Sequence, residues 1–536
     1  MNRSSLTINH SKMSDQTPRK DLTEFLDRQA YLQDENRAEA VQKRHAKGQR
    51  TARENIADLC DEGTFHEVAS LIVAGQRGRR TQQELIEKTP ADGLIAGFGH
   101  INGDLFENKK AKCAILSYDE MVLAGTQGAY NHKKTDRVMA MVEKAHCPVI
   151  FFVEGGGGRP GDVDFDPITV GGLDLMTWVA YARLSGKVPR IAVISRYCFA
   201  GNAAIAGAAD VIIATENVSL GMGGPAMIEG GGLGTYHPKE IGSAQVQTQN
   251  GVIDILVKDE AAAVKATQQY LSYFQGNTKD WTCVNQAILH KLIPEDRRFG
   301  YDVLKIIHAL ADENSVLELR PTFARNMITA LVRIEGRPMG LIANSNRHLG
   351  GAIDSDASDK AARFMQLCDA FGIPLLSLCD TPGFMVGPTH EQTGLVRHTA
   401  RMFTAGANLT VPLITVVLRK AYGLGAMAMA GGSLHQSFMT VSWPTGEFGA
   451  MGLEGAVKLG FKKELEKAQD AASQAALYDK LVAAAYQKGK AIQAASALEF
   501  DEVINPEHTR QWIINALDTI DPATYKKGSG RYVDNW

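Results

Sequence analysis

Between positions 21 and 47 the stretch DLTEFLDRQAYLQDENRAEAVQKRHAK is densely charged, and its apolar residues Leu22, Phe25, Leu26, Ala30 and Leu32 recur near helical spacing. That pattern predicts an amphipathic helix lying against the body of the protein. Its basic end, Lys43 to Arg53, reads as a solvated helix face in preference to a phosphate site. The chain then turns β-rich and glycine-punctuated. GLIAGFGHING (93–103) and KCAILSYDE (112–120) read as strands closed by turns, before a helical pattern returns in KKTDRVMAMVEKAHC (133–147).

Two apolar runs, each opened by proline and preceded by a helical segment, end in glycine-bearing loops: PVIFFVEGGGGRPG (148–161) and PLLSLCDTPGFMVG (374–387). A second buried strand follows each, in RIAVISRYCFAGNAAIAGAAD (190–210) and LITVVLRKAYGLGAMAMAGG (413–432), and runs through a small-residue turn into an Ala-rich helix. The intervals agree as well, with 48 positions from Pro148 to Arg196 and 45 from Pro374 to Arg419. An α/β fold in two homologous domains follows, joined near 280–320, where TKDWTCVNQ and PEDRRF interrupt the periodicity. The expected domains are 21–290 and 291–536, after a disordered tail over 1–20.

Composition narrows the setting. At 536 residues the chain exceeds one ordinary core. A formal net charge of −3 offers no general attraction to nucleic acid or an anionic membrane. The longest apolar runs, such as 411–418, are of strand length and short of the roughly 20 residues that span a bilayer. Seven scattered cysteines with no C-x-x-C pair argue against a disulfide framework or a zinc ribbon, so a reduced, cytoplasmic location is expected, or the mitochondrial matrix in a eukaryote. The first twenty residues lack the hydrophobic core of a secretory signal; a tail is preferred to a transit peptide, and Met13 is an alternative start. The 52 glycines, about 9.7% of the chain against a usual level of roughly 7%, require a reason.

A strand that passes through small residues into a helix leaves unpaired N–H groups where partial positive charge gathers. Ala200-Gly201-Asn202-Ala203 and Gly423-Leu424-Gly425-Ala426 are such turns, each offering adjacent amides to an oxyanion. A tight crossover with no ligand is the alternative for either alone; their equivalent places in a repeat raise the case for chemistry. No P-loop, Rossmann fingerprint, H-E-x-x-H or G-x-S-x-G is present, and no metal site is expected. In GGGGRPGD (155–162), Arg159 suits phosphate recognition, with a surface turn as the alternative. His132, Lys133 and Lys134 are lesser candidates for phosphate contact, and Asp359-Lys360 reads as the head of a helix; solvated or capping roles are preferred for all of these.

The segments SDKAARFMQLCDAFGIPLLSLCDTPGFMVGPTHEQTGLVRHTARMF (358–403), VPLITVVLRKAYGLGAMAM (411–429) and WPTGEFGAMGLEGAVKLG (443–460) resemble the carboxyltransferase β-subunit of biotin-dependent acyl-CoA carboxylases. The likeness reaches back through KGQRTARENIADLCDEGTF (47–65) and HPKEIGSAQVQTQNGV (237–252) and on to FDEVINPEHTRQWIINAL (500–517), covering nearly everything from about residue 20. It implies two crotonase-like domains. It also implies that carboxybiotin, on a separate carrier, releases CO2, biotin N1 takes the α-proton of an acyl-CoA, and the thioester enolate attacks CO2. The cofactor then acts as base, and the protein supplies orientation and charge stabilisation.

Residue by residue, the resemblance assigns Gly201 and Asn202 to the thioester oxygen, and Gly423, Leu424 and Gly425 to biotin. Gly156, Gly157, Gly158 and Arg159, with Ala426 and Met427, fall to the acyl-CoA. It further implies a biotin carboxylase and a biotinylated carrier as partners, and a dimer-based homo-oligomer, commonly a hexamer. Ala-Met-Ala-Met at 426–429 lacks the lysine of a biotinylation site, so biotin is not carried on this chain.

Three departures stand out. Gly155-Gly156-Gly157-Gly158-Arg159 replaces S-G-G-A-R, with Pro160-Gly161-Asp162 in place of Ile-Gln-Glu; Asn202 stands where Gly is usual; and Ala426-Met427 replaces Tyr-Asp. The last exchange enlarges and greases the acyl pocket, pointing to a longer or branched acyl group. The alternatives are the carboxyltransferase of a sodium-pumping acyl-CoA decarboxylase and a non-catalytic CoA-binding scaffold.

Overall fold

A computed structural model describes residues 19–164, 173–297, 299–525, 527–528 and 530–536. The expected tail and the alternative start at Met13 lie outside the described residues, apart from Arg19 and from Lys20, which opens a helix.

The first sheet runs β1 (His66–Glu67), β2 (Leu94–His100), β3 (Lys112–Tyr118), β4 (Val149–Phe152), β5 (Arg190–Ile194), β7 (Val211–Thr215) and β9 (Ile255–Val257), in that spatial order. A small ribbon pairs β6 (Tyr197–Phe199) with β8 (Ser219–Gly221). The second sheet repeats the plan with β10 (Leu317–Leu319), β11 (Met327–Ile334), β12 (Arg337–Asn344), β13 (Leu375–Thr381), β14 (Leu413–Tyr422), β15 (Met439–Ser442) and β17 (Glu502–Val503), while β16 (Glu447–Gly449) joins β14. In each sheet the first three strands are antiparallel and the rest parallel. The crossover helices Ala129–Ala145 and Ser355–Phe371 are both 17 residues long, and Gly201–Gly207 and Gly423–Met429 are both 7. The repeat read from the sequence is therefore a repeat of topology, and the fold is two crotonase-like units.

Parallel strands covered on both faces read as continuous apolar runs, and their period of two sorts the side chains between layers. On β4, Ile150 and Phe152 face a cluster shared by both units, whereas Val149 and Phe151 face the outer helices. On β14, Leu413 and Val417 face the shared cluster and Ile414, Val416 and Leu418 the outer one. The helix Glu260–Gln275 lies in the shared layer through Ala263, Val264, Tyr270 and Leu271. The first sheet ends at Val257 and the second begins at Leu317, and the interrupting segments TKDWTCVNQ and PEDRRF lie between them in sequence.

The single helix expected over 21–47 is broken. Lys20–Ala30 and Ala38–His45 are separate helices around a 3₁₀ turn at Asp34–Arg37, and the Asn36 amide donates to Ala30 O (2.8 Å) at the break. No residue of the first helix is buried; Leu22, Phe25 and Leu26 are exposed, and Leu32 alone of the apolar series is in the core. The basic end is a solvated face only in part: Lys43, His45 and Lys47 are exposed, whereas two of its arginines turn inward. Arg44 is buried in ion pairs with Glu120 (2.8 Å) and Glu154 (2.9 Å), and Arg53 pairs with Glu67 (3.0 Å).

Candidate active site

Where β6 ends, Ala200 takes φ 52°, ψ −121°, a conformation strained for a residue with a Cβ, and the helix Gly201–Gly207 begins at once. The first N–H in it to find a backbone acceptor is that of Ala204, on Ala200 O (2.9 Å); the amides of Gly201, Asn202 and Ala203 precede it and point out of the helix end. Gly201 is tightly packed: a Cβ there would lie 2.1 Å from Gln127 Oε1, so that side chain would have to move. The second turn copies the first. Gly423, at φ +55°, opens the helix Gly423–Met429 directly after β14, and a Cβ on Gly425 would sit 2.7 Å from Gly383 Cα. Leu424 and Met427 are exposed, whereas Ala426 is buried in the shared cluster. Of the pair assigned to the acyl pocket, only Met427 thus reaches open surface.

The side chain of Asn202 points away from the helix-end amides. Fully buried, it accepts from Gly157 N–H through Oδ1 (2.9 Å) and donates from Nδ2 to Gly125 O (3.5 Å). Gly157, at φ +87°, also accepts from Gln127 N–H (2.7 Å). The glycine loop is therefore tied to the oxyanion turn. The N–H of Gly157 is spent within the fold, and Gly156 and Gly158 are the exposed positions left to a ligand.

Arg159 is not the surface turn residue of the alternative reading. Its side chain is only 4% exposed and pairs with Asp92 (2.6 Å) and Asp162 (3.2 Å), and it donates to Thr126 O (2.8 Å). Burial pushes the Asp92 carboxyl up to about 6 against the pull of Arg159. Asp162, one of the departures in the loop, is thus half of the clamp that holds Arg159. His132 is buried on Thr177 Oγ1 (2.9 Å) beside the Trp178 ring, and burial lowers its pKa. Lys134 is buried on Leu94 O, while the exposed Lys133 sits over the Tyr130 ring at 5.5 Å. Asp359-Lys360 lies inside its helix rather than at the head, which Asp354 caps through Ala357 N–H (3.0 Å). The Lys360 ammonium donates to the carbonyls of Arg320, Phe323 and Met327 at 2.7–2.8 Å, and Asp359 holds His398 and Arg401.

A cavity of about 230 Å³ lies beside the ends of β5 and β7. Lys47, Arg196, Lys239 and Lys258 line it with Ser195 and Asn217, alongside the carboxylates Asp259 and Glu260. Arg196 lies 4.6 Å from the Tyr197 ring centroid, and Ser195 donates to Glu154 (2.6 Å), the carboxylate that holds Arg44. Sequence reasoning missed this cavity because four distant segments supply its cations; only the order of β5, β7 and β9 brings them together. Among the described residues no group of three or more His, Cys, Asp or Glu is placed to hold a metal, no helix is long and apolar enough to cross a membrane, and the seven cysteines are unpaired.

The carboxyl transferase domain family matches residues 43–527. This chain belongs to it. The carboxyltransferase is 34% identical to the methylmalonyl-CoA carboxyltransferase 12S subunit of Propionibacterium freudenreichii subsp. shermanii, over 89% of this chain and 90% of that one. It is 31% identical to the propionyl-CoA carboxylase beta chain of Roseobacter denitrificans, over 94% and 96%. Its fold superposes on a single-chain, multi-domain long-chain acyl-CoA carboxylase with a TM-score of 0.88 and 53% identity, covering 93% of this chain and 49%, about half, of that one. The hexameric transcarboxylase 12S structure with methylmalonyl-CoA bound gives a TM-score of 0.81 at 30% identity, over 95% and 96%. The chain is an enzyme, the carboxyltransferase of a biotin-dependent acyl-CoA carboxylase.

Proposed function

We propose that the carboxyltransferase moves a carboxyl group from biotin, carried on a separate protein, to the α-carbon of an acyl-CoA longer or more branched than propionyl-CoA. The observation that carries this reading is the pair of helix N-termini, Gly201–Asn202 and Leu424–Gly425, at equivalent places in two homologous units. Each offers neutral backbone donors in fixed positions, which suits an oxygen that gains negative charge during reaction and costs little reorganisation. Gly201 and Asn202 serve the thioester oxygen. Gly423, Leu424 and Gly425 hold the ureido oxygen of biotin, and the donor set fits, being the backbone N–H groups of a helix's first turn. When bound, biotin supplies CO2 and accepts the α-proton. The remaining tasks belong to this chain: the glycine loop and the strained Ala200 keep the first set of amides in place, and Lys47, Arg196, Lys239 and Lys258 meet the phosphates of coenzyme A.

Domain limits of 21–290 and 291–536, a biotin carboxylase and carrier as partners, a dimer-based hexamer and a cytoplasmic location complete the reading. A longer acyl group is supported by Met427 at the second turn and by the long-chain relative. The scaffold alternative loses its motive, because Arg159 and Asn202 are built into the fold. Initial rates with carboxylase, biotinylated carrier and acyl-CoAs of increasing length test the proposal, with decarboxylation of a malonyl-CoA series using free biotin as a second arm. No turnover in either arm would sink it, and a strict preference for propionyl-CoA would remove the acyl-length part.

Replacing Gly425 cannot test the biotin turn, since a Cβ strikes Gly383 within the same fold. Leu424→Pro can: proline is tolerated in a first helical turn, where its missing N–H has no helical acceptor. We expect kcat to fall by about 10²–10³, the loss typical of one oxyanion donor, with acyl-CoA binding retained. Unchanged turnover would remove Leu424 from the site.

A further inference from the structure

At the opposite end of the first sheet, where β3, β4 and β5 begin, lies a groove of about 710 Å³ that the acyl-transfer chemistry does not use. Its volume is that of a cavity for a nucleotide-sized ligand. Lys109, Lys110, Lys112, His146, Lys187 and Lys527 stand around it. Glu107 is the one carboxylate in its lining, and Lys187 is held by Glu143 at 2.8 Å. Five ammonium groups thus converge on one concavity with little compensation inside it, which concentrates positive potential over the opening. Burial, with the neighbouring charge of Lys110 second, holds Lys527 below the ordinary lysine range.

The walls are not all polar. Pro148, Val188 and Pro189 precede or flank the strand starts, and Phe274 packs edge-on to Phe371 at 5.3 Å with its own ring half-buried. One side thus suits a flat apolar group and the other a chain of negative charges. Phe371 and Lys527 come from the second unit and the other cations from the first, so an occupant touches both.

We propose that this groove binds a small anion built on a phosphate chain, either a nucleoside polyphosphate or free polyphosphate, at a site separate from the acyl-CoA site. The turns at Gly201 and Leu424 follow the ends of β6 and β14, whereas the groove lies at strand starts; its ligand is not the substrate. Lysine rather than arginine suits a flexible polyanion with no fixed fork geometry.

The test titrates the full chain with ATP and with tripolyphosphate by calorimetry at low and moderate salt, beside two variants. Lys109→Glu with Lys112→Glu reverses two exposed charges of the groove; Lys47→Glu with Lys239→Glu does so in the cavity beside the ends of β5 and β7. Equal melting temperatures without ligand confirm folding. Saturable binding that weakens roughly tenfold or more in the first variant, persists in the second and declines with salt is the expected result. Tighter ATP than tripolyphosphate identifies a nucleotide seated against Phe274, and equal affinity identifies recognition of phosphate alone; either supports the site. No saturable binding of either anion, or binding lost in the Lys47/Lys239 variant and kept in the Lys109/Lys112 variant, overturns it.

Discussion

Asn202 shows how one side chain can settle what a motif leaves open. In a family where Gly is usual at this place, its carboxamide is fully buried and bonded to the backbone of Gly157 and Gly125, joining three loops around the first oxyanion turn. Asn202→Ala leaves the Gly157 N–H buried without an acceptor and frees the loop. We expect a loss of about 1–3 kcal/mol in urea unfolding, with a fall in kcat larger than any rise in KM, because the amides at Gly201 and Asn202 lose their rigid backing. A variant that is destabilised but keeps its kcat would show a role in stability only. Lys134 gives a pH signature. Burial lowers its ammonium to about 8, opposed by Glu67. A lysine with a folded pKa below its unfolded value binds fewer protons in the native state between the two, so that group's penalty is full below about 8 and fades as pH climbs towards 10.5. The stability of the wild type relative to Lys134→Met therefore shifts in the wild type's favour across pH 8–10.5, by up to about 3 kcal/mol, measured as the difference between urea midpoints. A difference that is flat with pH would mean that Lys134 stays charged throughout.

At the scale of elements, the strands and their turns were legible because their cause is local. A parallel strand buried on both faces is a run such as VIFF or LLSLCDT, and the small residues after β6 and β14 mark where backbone must turn within a few residues. Arg159 was not legible, since the partner that removes it from the surface, Asp92, lies 67 positions away across a turn. The break in the first helix was hidden too: helical spacing of Leu22, Phe25 and Leu26 says that a face is apolar, not that anything covers it. The same distinction decides what Arg159 does. Arg159→Met leaves Asp92 and Asp162 facing each other without their common cation, so we expect about 3–5 kcal/mol of destabilisation, the usual loss when one partner of a buried pair is removed. Arg196→Ala should instead raise KM for acyl-CoA while the unfolding midpoint stays nearly unchanged. The reverse assignment of effects would return the phosphate to the glycine loop.

At the scale of the molecule, the two copies of one unit do not stand apart. They share an apolar layer that draws on both sheets and on the helix Glu260–Gln275, and polar ties cross it: Arg320 pairs with Asp254 (2.8 Å), and Arg363 donates to Asp210 O (2.6 Å). Asp254 lies between β7 and β9 and Arg320 directly after β10, so this ion pair joins the last strands of one unit to the first strand of the next. It is buried on both sides. Removing one partner leaves a buried charge, and the cost falls on the interface rather than on either outer core. If the units fold as one body, that cost must appear equally in both. Trp178, in the outer cluster of the first unit, and Trp443, buried in that of the second, provide separate reporters when the other tryptophans are replaced by phenylalanine. We expect the two fluorescence transitions in urea to coincide in the parent protein, and Arg320→Met to move both to lower urea by the same amount. A shift at Trp443 with Trp178 unmoved would mean that each unit is held by its own core, and that the shared layer merely joins two independent folds.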